Sequence, residues 1–146
     1  MNPDYPISPQ ASAVNGFTDD MVKDKPKFDD VWPTIKQYFT NSIWVCHNLP
    51  FDKRALYTEF RRYDIEIPDF FTCDTLENAK NYIAKGITEN YKLGTLCDYF
   101  GIELKNWHTA DADTLACMRV FNKLINLSNG DLIIRTRYNQ IYKEEE

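Results

Sequence analysis

Hydrophobic and polar positions along the chain predict alternating strands and helices. The apolar run from Ser42 to Cys46 is rich in strand formers, and it leads into a helix that begins near Pro50. A second strand is predicted around Phe70 to Asp74. A long helix is predicted within the segment from Trp107 to Leu127, where apolar residues recur at helical spacing after Asp113. These elements place the chain in the α/β class.

Capping residues and apolar spacing predict four shorter helices. They are Thr18 to Val22, Phe28 to Phe39, Glu77 to Lys85 and Lys92 to Phe100. The second of these requires Pro33 to lie in or near its first turn, because proline removes a backbone donor. Three prolines within the first nine residues predict an extended, turn-rich start. Near the other end, Asp131 to Tyr142 is predicted to be a strand or a hairpin arm.

Composition and charge narrow the class of protein. A chain of 146 residues is expected to form one domain, and 43% hydrophobic residues indicate a globular protein rather than a disordered one. The net charge of −5 excludes a general attraction to polyanions, so any contact with nucleic acid must be local. Four well separated cysteines without a Cys-x-x-Cys pair predict reduced thiols. Since no signal segment or run of 18 apolar residues is found, neither secretion nor membrane insertion is indicated and a cytoplasmic location is expected.

Two predicted helices begin with an acidic residue on an otherwise apolar stripe. Asp52 shares its face with Leu56 and Phe60, and Asp113 precedes the stripe Cys117, Val120, Phe121 and Leu124. A carboxylate in such a position is costly unless a cation, a donor or solvent compensates it. His108 lies just before the second helix, so an imidazole and a carboxylate are expected close together. The alternative is that both acids only compensate the helix dipole, with Thr109 as a capping residue.

The segments around the two acids also carry ordered motifs. His47 to Asp52 contains Asn-x-x-Phe-Asp, and His108 to Asp113 contains His-x-Ala-x-x-Asp. With these motifs the chain resembles the DEDDh branch of the DnaQ-like 3′–5′ exonucleases, a group that includes the proofreading epsilon subunit of bacterial DNA polymerase III. Weaker similarities are the segments VNGFTDDMV, CDTL and KLGTLCDYFGI. The resemblance extends from about Asn2 to Leu127.

The resemblance implies a ribonuclease H-like fold with a mixed sheet flanked by helices. Residues 1–128 would be the exonuclease-like domain, and residues 129–146 a strand-like extension with an acidic tail. The family's first motif, Asp-x-Glu, would precede Asn15, and the chain does not contain it there. The Asp-x-Glu at Asp64 to Glu66 follows the wrong helix and is interpreted as a chance match. The domain is therefore expected to be N-terminally incomplete and to lack the first strands of its sheet.

That gap would leave an edge of the strand from Ser42 to Cys46 unpaired, which favours aggregation or strand swapping. Two explanations are open. The sequence either begins at an internal methionine of a longer enzyme, or the edge is covered by the tail from Asp131 to Tyr142 or by a second subunit. A homodimer or strand-swapped contact is included in the second explanation. Without the first motif, the isolated chain is expected to bind metal weakly and to cleave poorly.

The family's chemistry assigns roles to individual residues. Two Mg²⁺ or Mn²⁺ ions would stabilise the charge that develops during phosphodiester hydrolysis, with Asp113 and Asp52 as metal-binding catalytic carboxylates. His108 would take a proton from the attacking water. Asn48 and Phe51 would shape the turn at Asp52, and Phe17 is a candidate for stacking on a terminal base. The implied partners are a single-stranded or frayed 3′ end, of DNA rather than RNA, and a DNA polymerase subunit.

Two other functions are kept beside the exonuclease prediction. The first is a catalytically inactive exonuclease-like module that binds a polymerase or nucleic acid. The second is an unrelated α/β domain whose acids only cap helices. The geometry around Asp52 and Asp113 distinguishes an unrelated α/β domain from an exonuclease-like one. A nuclease assay with Mn²⁺ distinguishes the inactive module from an active exonuclease.

Overall fold

A computed structural model describes residues 1–68, 70–103 and 109–135 of the chain. The elements in chain order are α1 (Pro9–Asn15), α2 (Asp19–Val22), α3 (Phe28–Ile35), a 3₁₀ turn (Lys36–Tyr38), β1 (Ile43–Cys46), α4 (Leu49–Arg62), β2 (Phe71–Asp74), α5 (Thr75–Tyr82), α6 (Leu93–Phe100) and α7 (Ala110–Leu127). Helices flank a small sheet, which confirms the α/β class predicted from the sequence. None of the helices in these ranges is long and apolar enough to cross a membrane.

The sheet consists of β1 and β2, which run parallel. Ile43 pairs with Phe71 at one end, and Cys46 pairs with Asp74 at the other. Arg135 adds a single antiparallel bridge on β2, with its backbone N–H and C=O both bonded to Thr72 at 2.9 and 3.0 Å. The sheet is therefore mixed at that point. Because both strands end at the same edge, the residues that follow them lie side by side.

The segment after α7 returns to β2 and not to β1. The side chain of Asn78 in α5 is fully buried and bonds to both the N–H and the C=O of Ile133, at 2.8 and 3.2 Å. Tyr82 donates to the carbonyl of Asp131, and Arg135 pairs with Glu77. The hypothesis that this tail covers the free edge of β1 is wrong for residues 131–135, because those residues lie on the opposite side of the sheet. Residues 136–142 of the predicted strand lie outside the described ranges.

Two apolar clusters hold the helices in place. One is formed by α3, α4 and the strands, and its buried residues are Phe28, Trp32, Cys46, Leu49, Tyr57, Phe60 and Phe70. The other is formed by α5, α6 and α7, and its buried residues are Ala79, Ile83, Leu96, Cys97, Ala116, Val120 and Leu124. All four cysteines are free, in agreement with the prediction of reduced thiols. Buried apolar area of this kind is the main source of folding free energy.

The N-terminal segment contains a helix that the sequence did not predict. Pro9 lies in the first turn of α1, where a missing backbone N–H costs nothing, and the Ser8 hydroxyl accepts a bond from the N–H of Ala11 at 3.2 Å. Gly16 ends the helix with a left-handed backbone at φ 75°. The prediction of an extended, turn-rich start is therefore wrong for residues 9–15, because Pro9 starts a helix. The next helix, α2 after Thr18, was predicted correctly.

Two predicted helix boundaries need correction. The helix from Phe28 ends at Ile35 rather than Phe39, because Pro33 lies in its interior and a 3₁₀ turn follows. Helix α5 begins and ends earlier than predicted, because it spans Thr75–Tyr82 rather than Glu77 to Lys85. It begins earlier because Asp74 accepts a bond from the N–H of Leu76 at 2.8 Å, which is an N-cap contact. Helix α6 ends at Gly101, as predicted.

The buried stripe of α7 agrees with the predicted one at Val120 and Leu124 and differs at its start, where alanines are buried instead of Asp113 and Cys117. Its fully packed positions are Ala112, Ala116, Val120 and Leu124. Asp113, Cys117 and Phe121 lie beside this stripe and are half-buried. Small residues at 112 and 116 let the start of α7 approach its neighbours closely, and Asp113 is directed to the margin of the packed face. The larger side chains predicted a stripe that includes Asp113, whereas the alanines at the start of the helix take the buried positions.

Candidate active site

The carboxyl ends of β1 and β2 form one edge of the sheet, and the turn that carries Asp52 follows β1 directly. His47 and Asn48 follow β1, and Thr75 follows β2. The hydroxyl of Thr75 donates to the carbonyl of Cys46 at 3.0 Å, and its oxygen lies 2.9 Å from Nδ1 of His47. These contacts join the two strand ends through buried polar groups. Ligand sites of open α/β sheets form at such an edge.

The turn between β1 and α4 directs Asp52 toward this edge. Asn48 has a left-handed backbone, with φ 69° and ψ 57°, a conformation that asparagine tolerates better than most residues. The carbonyl of Asn48 accepts a bond from the N–H of Phe51 at 3.0 Å, which begins the first helical turn. Asp52 lies in that turn, as the motif predicted. The role of Asn48 in shaping the turn thus has a backbone explanation.

Asp74 fixes the position of this turn relative to β2. Its carboxylate accepts bonds from the backbone N–H groups of Asn48 at 3.0 Å, Leu49 at 3.1 Å and Leu76 at 2.8 Å. One side chain therefore supplies acceptors at the starts of two helices, where backbone donors lack partners. The sequence motifs did not single out Asp74 as a site residue. Its position at the end of the second predicted strand was the available signal, because the ends of parallel strands share an edge.

Asp52 is a half-buried carboxylate whose surroundings raise its pKa. Burial raises the pKa of Asp52 above its usual value, and the nearby charge of Asp74 raises it further. Within the described part of the chain, no lysine or arginine forms an ion pair with Asp52. A carboxylate left in this environment is destabilised as an anion, so the site favours a positively charged ligand.

The first turns of α7 approach the same edge. Sγ of Cys117 lies 3.9 Å from the Thr75 hydroxyl oxygen. Burial raises the pKa of the Cys117 thiol, and the charges of Asp52 and Asp74 raise it further. Asp113 lies one helical turn before Cys117 and thus on the same side of α7. Its N–H is bonded to the carbonyl of Thr109 at 2.9 Å, at the start of the helix.

The neighbouring acid, Asp111, has a different environment. It is exposed, and hydrogen bonds from the Thr109 side chain and from backbone N–H groups lower the pKa of Asp111. Thr109 occupies the N-cap position, as predicted, although its side chain makes no capping bond to the backbone. Asp111 is thus the acid that stabilises the start of α7, while Asp113 is half-buried on the side of the helix that carries Cys117.

The structure distinguishes among the remaining predicted site residues. The side chain of Phe51 is 62% exposed beside Asp52 and is accessible to a ligand. Phe17 is also exposed, and its backbone hydrogen bonds are to Ser12 and Asn15, within its own segment. His108 lies outside the described residues. Asp64 to Glu66 follow the end of α4, away from the carboxyl ends of the strands, as expected for a chance match.

A divalent ion needs several oxygen donors, and few are available among the described residues at this edge. In the described ranges, no group of three or more histidine, cysteine or acidic side chains could hold a metal ion. Asp74 is occupied by backbone donors, which leaves Asp52 and Asp113 as carboxylate candidates. Mg²⁺ typically binds one or two carboxylates and completes its shell with water and substrate phosphates. The donor set therefore fits a hard ion that is shared with a phosphate.

Comparisons with known proteins agree with this geometry. A protein-family model described as exonuclease matches residues 1–121. The DNA polymerase III PolC-type of Oceanobacillus iheyensis is 36% identical over 124 residues, which are 85% of this chain and 8% of that protein. The DNA polymerase III subunit epsilon of Haemophilus influenzae is 35% identical over 123 residues, which are 80% of this chain and 47% of that protein.

A solved structure supports the same relationship. Exonuclease X in complex with 5′ overhanging duplex DNA superimposes with a TM-score of 0.69 at 27% identity, covering 88% of this chain and 72% of that one. The chain spans less than half the length of the two polymerase relatives. The resemblance to DnaQ-like exonucleases and the ribonuclease H-like fold are both confirmed by these matches. The chain belongs to the exonuclease family.

Proposed function

We propose that the chain is a 3′–5′ exonuclease domain that removes nucleotides from DNA 3′ ends. The observation that carries this proposal is the half-buried carboxylate of Asp52, which forms no ion pair within the described residues, at a sheet edge that the start of α7 also approaches. Family membership supports hydrolysis of a phosphodiester as the reaction. DNA as the substrate is supported by the relatives, which are described as DNA polymerase III proteins and as an exonuclease bound to DNA.

The chain's residues would act in separate roles. Asp52 and Asp113 would hold Mg²⁺ or Mn²⁺, which when bound lowers the pKa of water and stabilises charge on the phosphate oxygens. His108 would take the proton from the attacking water, since an unperturbed histidine has a pKa of about 6.5. Water attacks phosphorus and the bond to the 3′ oxygen breaks. The products are a nucleoside 5′-monophosphate and a strand with a new 3′ hydroxyl, which takes a proton from solvent.

Two aromatic residues would contact the terminal nucleotide. Phe51 presents an exposed ring next to Asp52, and Phe17 presents another after α1. Stacking of a base on an aromatic ring contributes about 1–3 kcal/mol and tolerates any sequence. Asn48 would act through the backbone by maintaining the turn that presents Asp52. Such contacts suit an enzyme that trims 3′ ends irrespective of their sequence.

A second function is favoured by the small number of available acids. Two carboxylates make a weak metal site by themselves, and no larger donor group is present within the described ranges. The chain would then be an inactive exonuclease-like module that binds nucleic acid or a DNA polymerase subunit. The polymerase relatives support this partner, because the chain matches only a part of each.

A nuclease assay tests the proposal directly. A single-stranded oligonucleotide labelled at its 5′ end is incubated with the chain and Mn²⁺, and shortening from the 3′ end is followed on a sequencing gel. We expect a slowly formed ladder of labelled products that Asp113→Asn abolishes, and no degradation of a circular single strand. Cleavage of the circle, or equal activity of the variant, would overturn the exonuclease assignment. Binding of the oligonucleotide without any shortening would favour the inactive module.

A further inference from the structure

A cavity lies beside the turn of the candidate active site. Its volume is about 650 Å³, and residues after β1, in α5 and before α6 line it. The lining side chains that concern its chemistry are His47, Asn48, Lys80, Lys85, Tyr91 and Lys92. Pockets of a few hundred Å³ with a small number of polar groups are the usual ligand sites of proteins.

The cavity is locally basic although the chain is acidic overall. Lys80, Lys85 and Lys92 line it, and all three are exposed at its rim. In the described part of the chain, none of these lysines forms an ion pair. Glu89 is the acid that lines the cavity, and Glu77 nearby is paired with Arg135. Three lysines beside one carboxylate leave a net positive charge that an anionic ligand would neutralise.

Polar groups inside the cavity add hydrogen-bonding capacity. The hydroxyl oxygen of Thr88 is buried and has no hydrogen-bond partner within the described residues. A buried hydroxyl without a partner costs free energy, which a bound acceptor would recover. Tyr91 places its ring in the wall and donates its hydroxyl to the carbonyl of Ile83 at 2.9 Å.

The cavity and the candidate active site share His47, Asn48 and Leu76. Asn48 lines the cavity and also begins the helix that carries Asp52. Four residues along a helix span about 6 Å, so the cavity lies roughly one helical turn from that carboxylate. A ligand with phosphates at regular intervals could therefore occupy both places. A polynucleotide strand has this property, whereas a single phosphate does not.

We propose that this cavity binds a backbone phosphate of the nucleic-acid strand, one or more nucleotides away from the bond that is cleaved. The proposal rests on the proposed function, since it assumes a polynucleotide ligand at the same edge. Lys80, Lys85 and Lys92 supply the charge, and the Thr88 hydroxyl supplies a donor. The subsite gives an acidic chain the local affinity for a polyanion that its net charge of −5 opposes.

Binding in the absence of metal tests the subsite separately from catalysis. A fluorescent 20-nucleotide oligothymidylate is titrated with the chain in EDTA at several salt concentrations, and anisotropy gives Kd. The variant carries Lys80→Gln, Lys85→Gln and Lys92→Gln. The matched control carries Lys25→Gln, Lys36→Gln and Lys123→Gln, which removes the same charge from exposed lysines outside the cavity. Circular dichroism verifies that both variants are folded.

We expect the cavity variant to weaken binding at least about tenfold and to reduce the salt slope by about two, and the control to change Kd less than about twofold. Replacement of the same three lysines by arginine should retain binding. Equal losses in the cavity variant and the control, or no measurable binding by the natural chain, would overturn the proposal. So would thymidine 5′-monophosphate binding as tightly as the oligonucleotide, because the site would then take a free phosphate.

Failure of the subsite and failure of the proposed function have different signatures. A chain that binds through the cavity lysines but never shortens DNA retains the subsite and loses the exonuclease assignment. A chain that shortens DNA with the same KM in the cavity variant and the control retains the assignment and loses the subsite.

Discussion

The carboxylate of Asp74 accepts a hydrogen bond from the backbone N–H of Asn48 at 3.0 Å, across 26 positions of sequence. The same carboxylate bonds to Leu49 and Leu76, so it joins the starts of α4 and α5. The turn that presents Asp52 is therefore held by a residue of the neighbouring strand. This contact makes the geometry of the candidate site depend on the pairing of β1 with β2.

Replacement of Asp74 should destabilise the fold and disturb the site together. In Asp74→Asn the side chain keeps one acceptor oxygen, so at least one backbone donor loses its partner. Hydrogen bonds to charged groups contribute about 1.5–3 kcal/mol, and we expect a loss of about 2 kcal/mol in the free energy of unfolding. Urea denaturation measures it. Asp98→Asn, at an exposed position of α6, is the control, and equal losses in both variants would contradict the role of Asp74.

Replacement of Asp52 should stabilise the fold while it removes activity. Since burial raises the pKa of Asp52, the folded protein binds this proton more tightly than the unfolded chain does. The ionised carboxylate therefore destabilises the fold. This destabilisation is absent below the pKa of Asp52 in the unfolded chain, about 3.9, and grows as pH rises through the higher pKa of Asp52 in the folded protein. We expect Asp52→Asn to raise the midpoint of thermal unfolding at pH 7 in EDTA by about 2 °C.

The difference between Asp52→Asn and the natural chain should shrink as pH falls toward 4. Mn²⁺ in excess should raise the midpoint of the natural chain more than that of the variant, because a ligand stabilises the form that binds it. Scanning calorimetry at several pH values measures both effects. A variant that is less stable than the natural chain at pH 7 would show that Asp52 has a structural role instead.

Replacement of the two acids in the first turn of α7 should have different effects, on the exonuclease rate for Asp113 and on stability for Asp111. We expect Asp113→Asn to lower the exonuclease rate at least about a hundredfold, as loss of a metal-binding carboxylate worth several kcal/mol implies. Asp111→Asn should retain activity and lower stability, because hydrogen bonds hold the pKa of Asp111 below its usual value. That stabilisation is present above the unfolded pKa and is lost as pH falls through the folded pKa. Single-turnover assays and urea denaturation of both variants check the assignment, which reversed effects would refute.

Removal of the Asn78 side chain should release the segment after α7. Its amide is fully buried and makes hydrogen bonds to Asp74 at 2.9 Å and to Ile133 at 2.8 and 3.2 Å. Asn78→Ala leaves these backbone groups without partners, so we expect a loss of about 2–3 kcal/mol and faster hydrogen exchange at Ile133. Asn81→Ala, at an exposed position of the same helix, should cost less than about 0.5 kcal/mol. Unchanged exchange at Ile133 would contradict the proposed attachment.

Local sequence signals predicted much of the fold. The apolar run ending at Cys46 and the helix near Pro50 were recognised because strand formers and a first-turn proline act within a few residues. Errors arose where a longer-range effect dominates. Pro9 starts a helix because Ser8 precedes it, and the tail lies on β2 because buried Asn78 binds Ile133. The spacing of apolar residues does not show which of two competing local signals will dominate. It also does not show a hydrogen bond to a side chain 55 positions away.

The site was predicted in part, for physical reasons that differ between residues. Asp52 stands out because an acid on an apolar stripe is costly, and the structure places it half-buried at the sheet edge. Asp74 was not predicted because a carboxylate at the end of a strand that bonds to backbone groups has no distinctive spacing in the sequence. The assignments of Asp52, Asp113, Asn48, Phe51 and Phe17 remain predictions, as does that of His108, which lies outside the described residues.

The bridge between Thr72 and Arg135 has a consequence for assembly. Because the chain's own return occupies the outer side of β2, new main-chain pairing is directed to β1. A strand added to the sheet would therefore pair with β1. It would approach from the side opposite to the segment that Asn78 of α5 binds. Growth into a polymer of repeating sheets, which needs two open sides on each copy, is thereby disfavoured.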